Sequence, residues 1–137
     1  MFSRFSPAAR RIVRAAEQAC RNHNHYYVGV GHLLLALLEE HDPGVNARFA
    51  ELGMRPAEVL ADLRRTLGTG DDRSWDGILV TPRFRSVVAR AEAAVRNGDL
   101  VEPIDLLGAL LAEPGGLAAD VLARNLGNPA TSGRVAG

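Results

Sequence analysis

Ser6-Pro7-Ala8-Ala9-Arg10-Arg11-Ile12-Val13-Arg14-Ala15-Ala16-Glu17-Gln18-Ala19-Cys20-Arg21-Asn22 and Thr81-Pro82-Arg83-Phe84-Arg85-Ser86-Val87-Val88-Ala89-Arg90-Ala91-Glu92-Ala93-Ala94-Val95-Arg96-Asn97 decide the fold, because the second stretch repeats the first at an offset of 75 residues. Each opens with a hydroxyl residue followed by proline. That is the favoured start of a helix: an N-cap oxygen, then a residue whose missing N–H would have had no partner. The pairs Arg10/Arg85, Ile12/Val87, Val13/Val88, Ala16/Ala91, Glu17/Glu92, Ala19/Ala94, Arg21/Arg96 and Asn22/Asn97 correspond. In the first copy the apolar residues recur every three or four positions, so they form one helical stripe. Cys20 lies on that stripe and is expected in the core.

Working outward, Gly29-Val30-Gly31-His32 leads into Leu33-Leu34-Leu35-Ala36-Leu37-Leu38 and ends in Glu39-Glu40. A helix apolar on every side must be central. At an offset of 73, Leu33-Leu34 recurs as Leu106-Leu107 and Leu37-Leu38 as Leu110-Leu111. Asp42-Pro43-Gly44 reads as a turn before a short helix that reaches Leu52, with Gly53 in the C-cap position. Pro56 then starts a helix whose buried stripe is Val59, Leu60, Leu63 and Leu67. The stretch from Leu117 to Leu126, followed by Gly127, matches the helix ending at Leu52-Gly53.

The expected fold class is therefore all-α, a pseudo-two-fold bundle of two tandem helical repeats with the second truncated. Repeat one covers residues 1–67, an aperiodic glycine-rich linker 68–78, and repeat two 79–127, followed by a disordered tail over 128–137. Leu34, Leu37, Leu107 and Leu110 are expected to meet in a shared core.

Composition narrows the function. The chain has 137 residues, 47% apolar but only 5% aromatic, a mix that favours helix. Formal net charge is zero, so there is no bulk attraction to phosphate backbones or anionic lipid. All 16 basic residues are arginine, which excludes a lysine-bearing phosphate loop and a Schiff-base lysine. One cysteine forms no intrachain disulfide, and no apolar signal segment follows Met1, so a reducing cytosol is the expected compartment. The apolar runs are too short to span a bilayer.

His23, His25, His32 and His41 lack the carboxylate or cysteine partners at fixed spacing that metal sites use, so no metal or cofactor is expected. Ser74-Trp75-Asp76 falls in the linker, and no nucleophile–base set stands out. Arg83, Arg85, Arg90 and Arg96 leave open the alternative of a small nucleic-acid-binding regulator, although their acidic neighbours favour a solvated helix face. Phe2 and Phe5, two aromatics ahead of the first helix, are either staples on the bundle or part of an exposed apolar surface.

Met1-Phe2-Ser3-Arg4-Phe5 before a Ser-Pro helix, Tyr27-Val28-Gly29-Val30-Gly31-His32 before the leucine run, Thr81-Pro82-Arg83, and Val101-Glu102-Pro103-Ile104-Asp105-Leu106-Leu107 together resemble the Clp N-terminal repeat domain, the ClpC branch most closely. The resemblance implies a non-catalytic module that receives adaptor and substrate proteins ahead of a Clp-type ATPase ring. It also implies a ligand surface, the target of cyclic-peptide antibiotics, carried over to Phe2, Arg4, Phe5, Val13, Val80, Thr81, Pro82 and Arg83, with the N-terminal segment beside the start of repeat two. The truncated second repeat and glycine-rich end favour a stand-alone homologue over a fragment. ClpC-like domains recognise phosphoarginine through a glutamate before the helix-start histidine of each repeat. Those positions are Gly31 and Ile104 here, so loss of phosphoarginine binding is expected.

Overall fold

The structure, a computed structural model, describes residues 3–25, 27–70 and 79–126. Seven helices and two short strands are found there. Helix α1 (Pro7–Asn22) is capped by the Ser6 hydroxyl, which accepts from the Ala9 N–H at 3.1 Å. Helix α5 (Pro82–Ala94) is capped in the same way by Thr81, which accepts from the Phe84 N–H at 3.1 Å. Helix α2 (Val30–Glu39) is buried from Val30 to Leu38, and its counterpart α6 (Pro103–Ala112) lies beside it.

Asp42 caps rather than turns: its carboxylate accepts from the Val45 N–H at 3.0 Å and opens α3 (Pro43–Glu51). The reversal of the chain falls one residue earlier, at His41, whose φ is +54°. Gly53, with φ +74°, ends that helix as expected. In α4 (Pro56–Leu67), Val59 and Leu63 are buried while Leu60 and Leu67 are half-buried. Helix α7 (Leu117–Leu126) corresponds to α3, and α4 has no counterpart among the described residues. The linker from 71 onward, Trp75 included, and the tail lie outside the described residues.

The pseudo-two-fold relation is carried by backbone pairing between repeats. Strand β1 (Tyr27–Val28) pairs in parallel with β2 (Leu79–Val80), matching Val28 with Val80. A separate parallel bridge joins Phe5 to Val101. Adding the two offsets to Phe5 and Val28 gives Val80 and Val101, so the second bridge is the first one rotated. The hydrogen bonds obey the same relation: Thr81 donates to the Val28 carbonyl at 3.1 Å and Ser6 to the Val101 carbonyl at 3.0 Å. Each repeat thus ties the start of its first helix to the start of the other's second helix. Leu34, Leu37, Leu107 and Leu110 are all completely buried in one continuous apolar cluster, together with Cys20.

Candidate functional site

The seam between β1 and β2 leaves two large apolar groups in water side by side, whereas Leu100, Ile104 and Leu126 are the other exposed large apolar residues among those described. Tyr27 is 36% and Leu79 63% exposed. With Val80, Thr81 and Pro82 they line a shallow depression of about 360 Å³. A smaller cavity of about 170 Å³ shares Tyr27 and Thr81 and continues to Gly31, Leu67, Arg83 and Leu117. Arg83 is held at its edge, where its guanidinium donates to the Pro114 carbonyl at 2.6 Å and lies 3.6 Å from Glu113. That approach needs glycine at 116: a Cβ there would sit 2.5 Å from Arg83 Cδ.

The residues assigned to a ligand surface do not form one surface. Phe5 is 2% exposed and belongs to the core, so it is a staple of the bundle rather than a ligand contact. Its backbone pairs with Val101 at the far seam, not with the start of repeat two. Arg4 donates to the carbonyls of Glu92 at 3.4 Å and Arg96 at 3.2 Å, at the end of α5. Val13 is buried on α1 and forms part of a separate depression with Ser3, Arg10, Arg14 and Glu17. Only Val80, Thr81 and Pro82 come together, and Arg83 lies in the adjoining cavity. Phe2 lies outside the described residues.

Tyr27 and Leu79 were missed by reading the sequence, although the repeat offsets mark them. Leu79 occupies the place of Arg4, and Tyr27 that of Leu100. One seam therefore sets Tyr27 beside Leu79, where the other sets the exposed Leu100 beside an arginine that caps a helix end.

At the first phosphoarginine position, Gly31 is buried, and a Cβ there would meet the Leu67 and Leu117 methyl groups at 2.9 and 3.0 Å. A larger residue there requires those two leucine side chains to shift. Ile104 is exposed beside Arg90, Asp105 and Gly108. Arg90 lies 3.7 Å from Glu113, so at least two of the arginines on α5 face a carboxylate.

The histidines form a small system of their own. His23 Nδ1–H donates to the Gly68 carbonyl at 2.7 Å. His25 and His32 are buried, 2.8 Å apart from Nδ1 to Nε2, and His32 Nδ1 accepts from the Gly29 N–H at 3.0 Å. Burial, reinforced by the two neighbouring histidines, pushes His32 down to about 4. Burial and His23 lower His25. Cys20 Sγ faces the Tyr27 carbonyl at 2.8 Å. Among the described residues, no three histidine, cysteine or acidic side chains are grouped to hold a metal ion. Nor is any single described helix long and apolar enough to cross a membrane.

The Clp repeat (R) N-terminal domain family matches residues 4–99. The chain is 30% identical over 135 residues to the chloroplastic chaperone protein ClpC of Pisum sativum, covering 96% of the chain and 14% of that protein. It is 30% identical over 130 residues to the negative regulator of genetic competence ClpC/MecB of Bacillus subtilis, covering 93% of the chain and 16% of that protein. The chaperone protein ClpB of Oceanobacillus iheyensis is 28% identical over 129 residues, with 93% and 16% covered. The chain thus spans between 14% and 16% of the length of these relatives. In fold it is similar to the crystal structure of the N-terminal domain of the caseinolytic protease associated chaperone ClpD from Arabidopsis thaliana, with a TM-score of 0.68, 21% identity and 98% of each chain covered.

Proposed function

Because the chain belongs to the Clp repeat N-terminal domain family, we propose that it is a non-catalytic recognition module that takes segments of adaptor or substrate proteins of a Clp-type ATPase. Capture occurs at the seam between the repeats. The observation that carries this reading is the exposure of Tyr27 and Leu79 side by side, on a chain whose other apolar residues are for the most part packed into one core. An apolar pair held open on a rigid strand pair is what an extended peptide side chain requires. The chain has no lysine for Schiff-base chemistry, and Cys20 and His32 are buried. The Val13 depression on α1 is the place for a cyclic-peptide ligand, with Arg10 and Arg14 at its rim.

The test is fluorescence anisotropy with a permanently unfolded client, reduced and carboxymethylated lactalbumin. Leu79→Glu places a charge on an exposed apolar contact, and a buried leucine contact contributes ~1.5–3 kcal/mol, so affinity falls by about tenfold or more. Melting temperature stays near that of the wild type, because the side chain is largely in water. Unchanged affinity in the variant moves the site elsewhere, and no binding by the wild type overturns the recognition reading itself.

A further inference from the structure

We propose that the His25–His32 pair is a proton-sensitive latch on the seam between the two repeats. The hydrogen-bond chain starts at the Gly29 N–H, which donates to His32 Nδ1 at 3.0 Å. An accepting Nδ1 leaves the single proton of a neutral imidazole on Nε2. His32 Nε2–H then donates to His25 Nδ1 at 2.8 Å, and His25 carries its own proton on Nε2. Every ring nitrogen between Gly29 and His25 therefore has a set role, and the chain has room for no further proton. An added proton on His32 Nδ1 faces the Gly29 N–H. One on His25 Nδ1 faces the His32 N–H, and moving the His32 proton across its ring only transfers the collision to Gly29. In each case two donors meet in a buried place and a hydrogen bond is lost.

Among the described residues, the surroundings offer an imidazolium no carboxylate partner. The titratable groups facing the pair are Cys20 and His23 from the end of α1, Tyr27 from β1, and Arg83 from the start of α5 across the shared cavity. Among the described residues, none that faces the pair is a carboxylate. Tyr27 stacks on His25 with ring centres 5.4 Å apart, so the imidazole also supports one wall of the seam.

What the pair holds is the short connection between α1 and α2. His25 stands at its beginning and His32 in the first turn of α2, with Tyr27 and Val28 between them. Those two residues pair with Leu79 and Val80, and the Val28 carbonyl accepts from Thr81. Protonation therefore loosens the strand pair that joins the repeats while the leucine core stays closed. The device is confined to one half of the molecule. At the matching place in repeat two, Asp105 accepts from the Glu102 N–H at 2.9 Å, where no imidazole takes part. The inference holds whether or not the seam takes the partner proposed above, because its readout is the seam itself.

Amide hydrogen-exchange protection factors, already corrected for the intrinsic effect of pH, test it on the whole chain between pH 7 and 5. Protection at Gly29 and Thr81 falls by about tenfold per pH unit below 6.5, as uptake of one proton on opening requires, and at every pH stays well below that at Leu107, which exchanges only when the core opens. His32→Gln keeps an acceptor for the Gly29 N–H, since glutamine at the third helical position accepts from the N-cap, and does not titrate. The fall at Thr81 flattens in that variant. Should His32→Gln fail to fold, His32→Asn, a side chain of the length with which Asp105 accepts from the Glu102 N–H at the matching place, is expected to flatten it too. Protection at Thr81 that is flat in the wild type, that equals the protection at Leu107 throughout the range, or that keeps its full slope in the folded variant overturns the proposal.

Discussion

At Phe5 the side chain is enclosed by the bundle while its backbone bridges to Val101, so truncation leaves a cavity and not a lost ligand contact. Phe5→Ala is expected to cost ~3–5 kcal/mol, seen as a large drop in melting temperature. Any loss of client affinity is then confined to the unfolded fraction. Gly31 and Ile104 separate in the same manner. Glutamate at Gly31 brings its Cβ within 2.9 and 3.0 Å of the Leu67 and Leu117 methyl groups, so both side chains must shift, and the melting temperature is expected to fall. At exposed Ile104 it changes stability by less than about 0.5 kcal/mol. Calorimetric titration of the wild type with phosphoarginine is expected to show no saturable binding, because neither position carries a carboxylate. His32 makes the protein acid-sensitive. Its folded value of about 4 lies below the ordinary 6.5, so in the window between these values the unfolded chain binds a proton that the folded chain refuses. The stability is fully present above 6.5 and is lost as pH falls towards 4, by about 3 kcal/mol in all. Denaturant melts of wild type and His32→Gln across that range should converge at the acid end.

Helix caps and interhelical clasps act on whole elements. Ser6 and Thr81 make the same bond at the same length to the third residue of their helices. Replacing either by alanine is expected to cost about 1 kcal/mol, and by similar amounts, as equilibrium unfolding will show. Helix α4, which has no partner of its own kind among the described helices, is fastened to α7. Asp62 accepts from Arg124 Nε at 3.1 Å and Nη2 at 2.8 Å, and from the Asn125 amide at 3.0 Å. The hydrogen bonds from Arg124 hold the Asp62 carboxyl below its ordinary range. A depressed carboxyl stabilises above its unfolded value of 3.8 and ceases to do so as pH falls below it. Asp62→Asn is therefore expected to lower the melting temperature slightly near neutrality, less so in high salt, with the difference narrowing below pH 3.8.

Over the whole molecule, neither repeat closes on itself. The Phe5–Val101 bridge and the β1–β2 pair both cross between repeats, and α2 and α6 share one core. Residues 1–70 made alone would expose the face of α2 that α6 covers and leave both seams unpaired. Circular dichroism of that fragment is expected to show partial helix and a broad, non-cooperative melt, against a sharp transition for the full chain.

The sequence by itself determined the helical class, the duplication and the central place of the two leucine runs, because these depend on periodicity and on caps that act within a few residues. It also marked Cys20 as core and Gly31 and Ile104 as departures from the pattern they resemble. What it left open was every relation between repeats. Whether Phe5 was staple or surface depended on its bridge to Val101, and the exposed Tyr27–Leu79 pair arises only where two short strands far apart in the chain come together. The two buried histidines gain their meaning the same way, since a loop with His-x-His becomes a closed hydrogen-bond chain only when the start of α2 folds back onto it. Local spacing predicts elements; contacts across a pseudo-two-fold axis are set by packing, and packing decides which of two equivalent seams stays open.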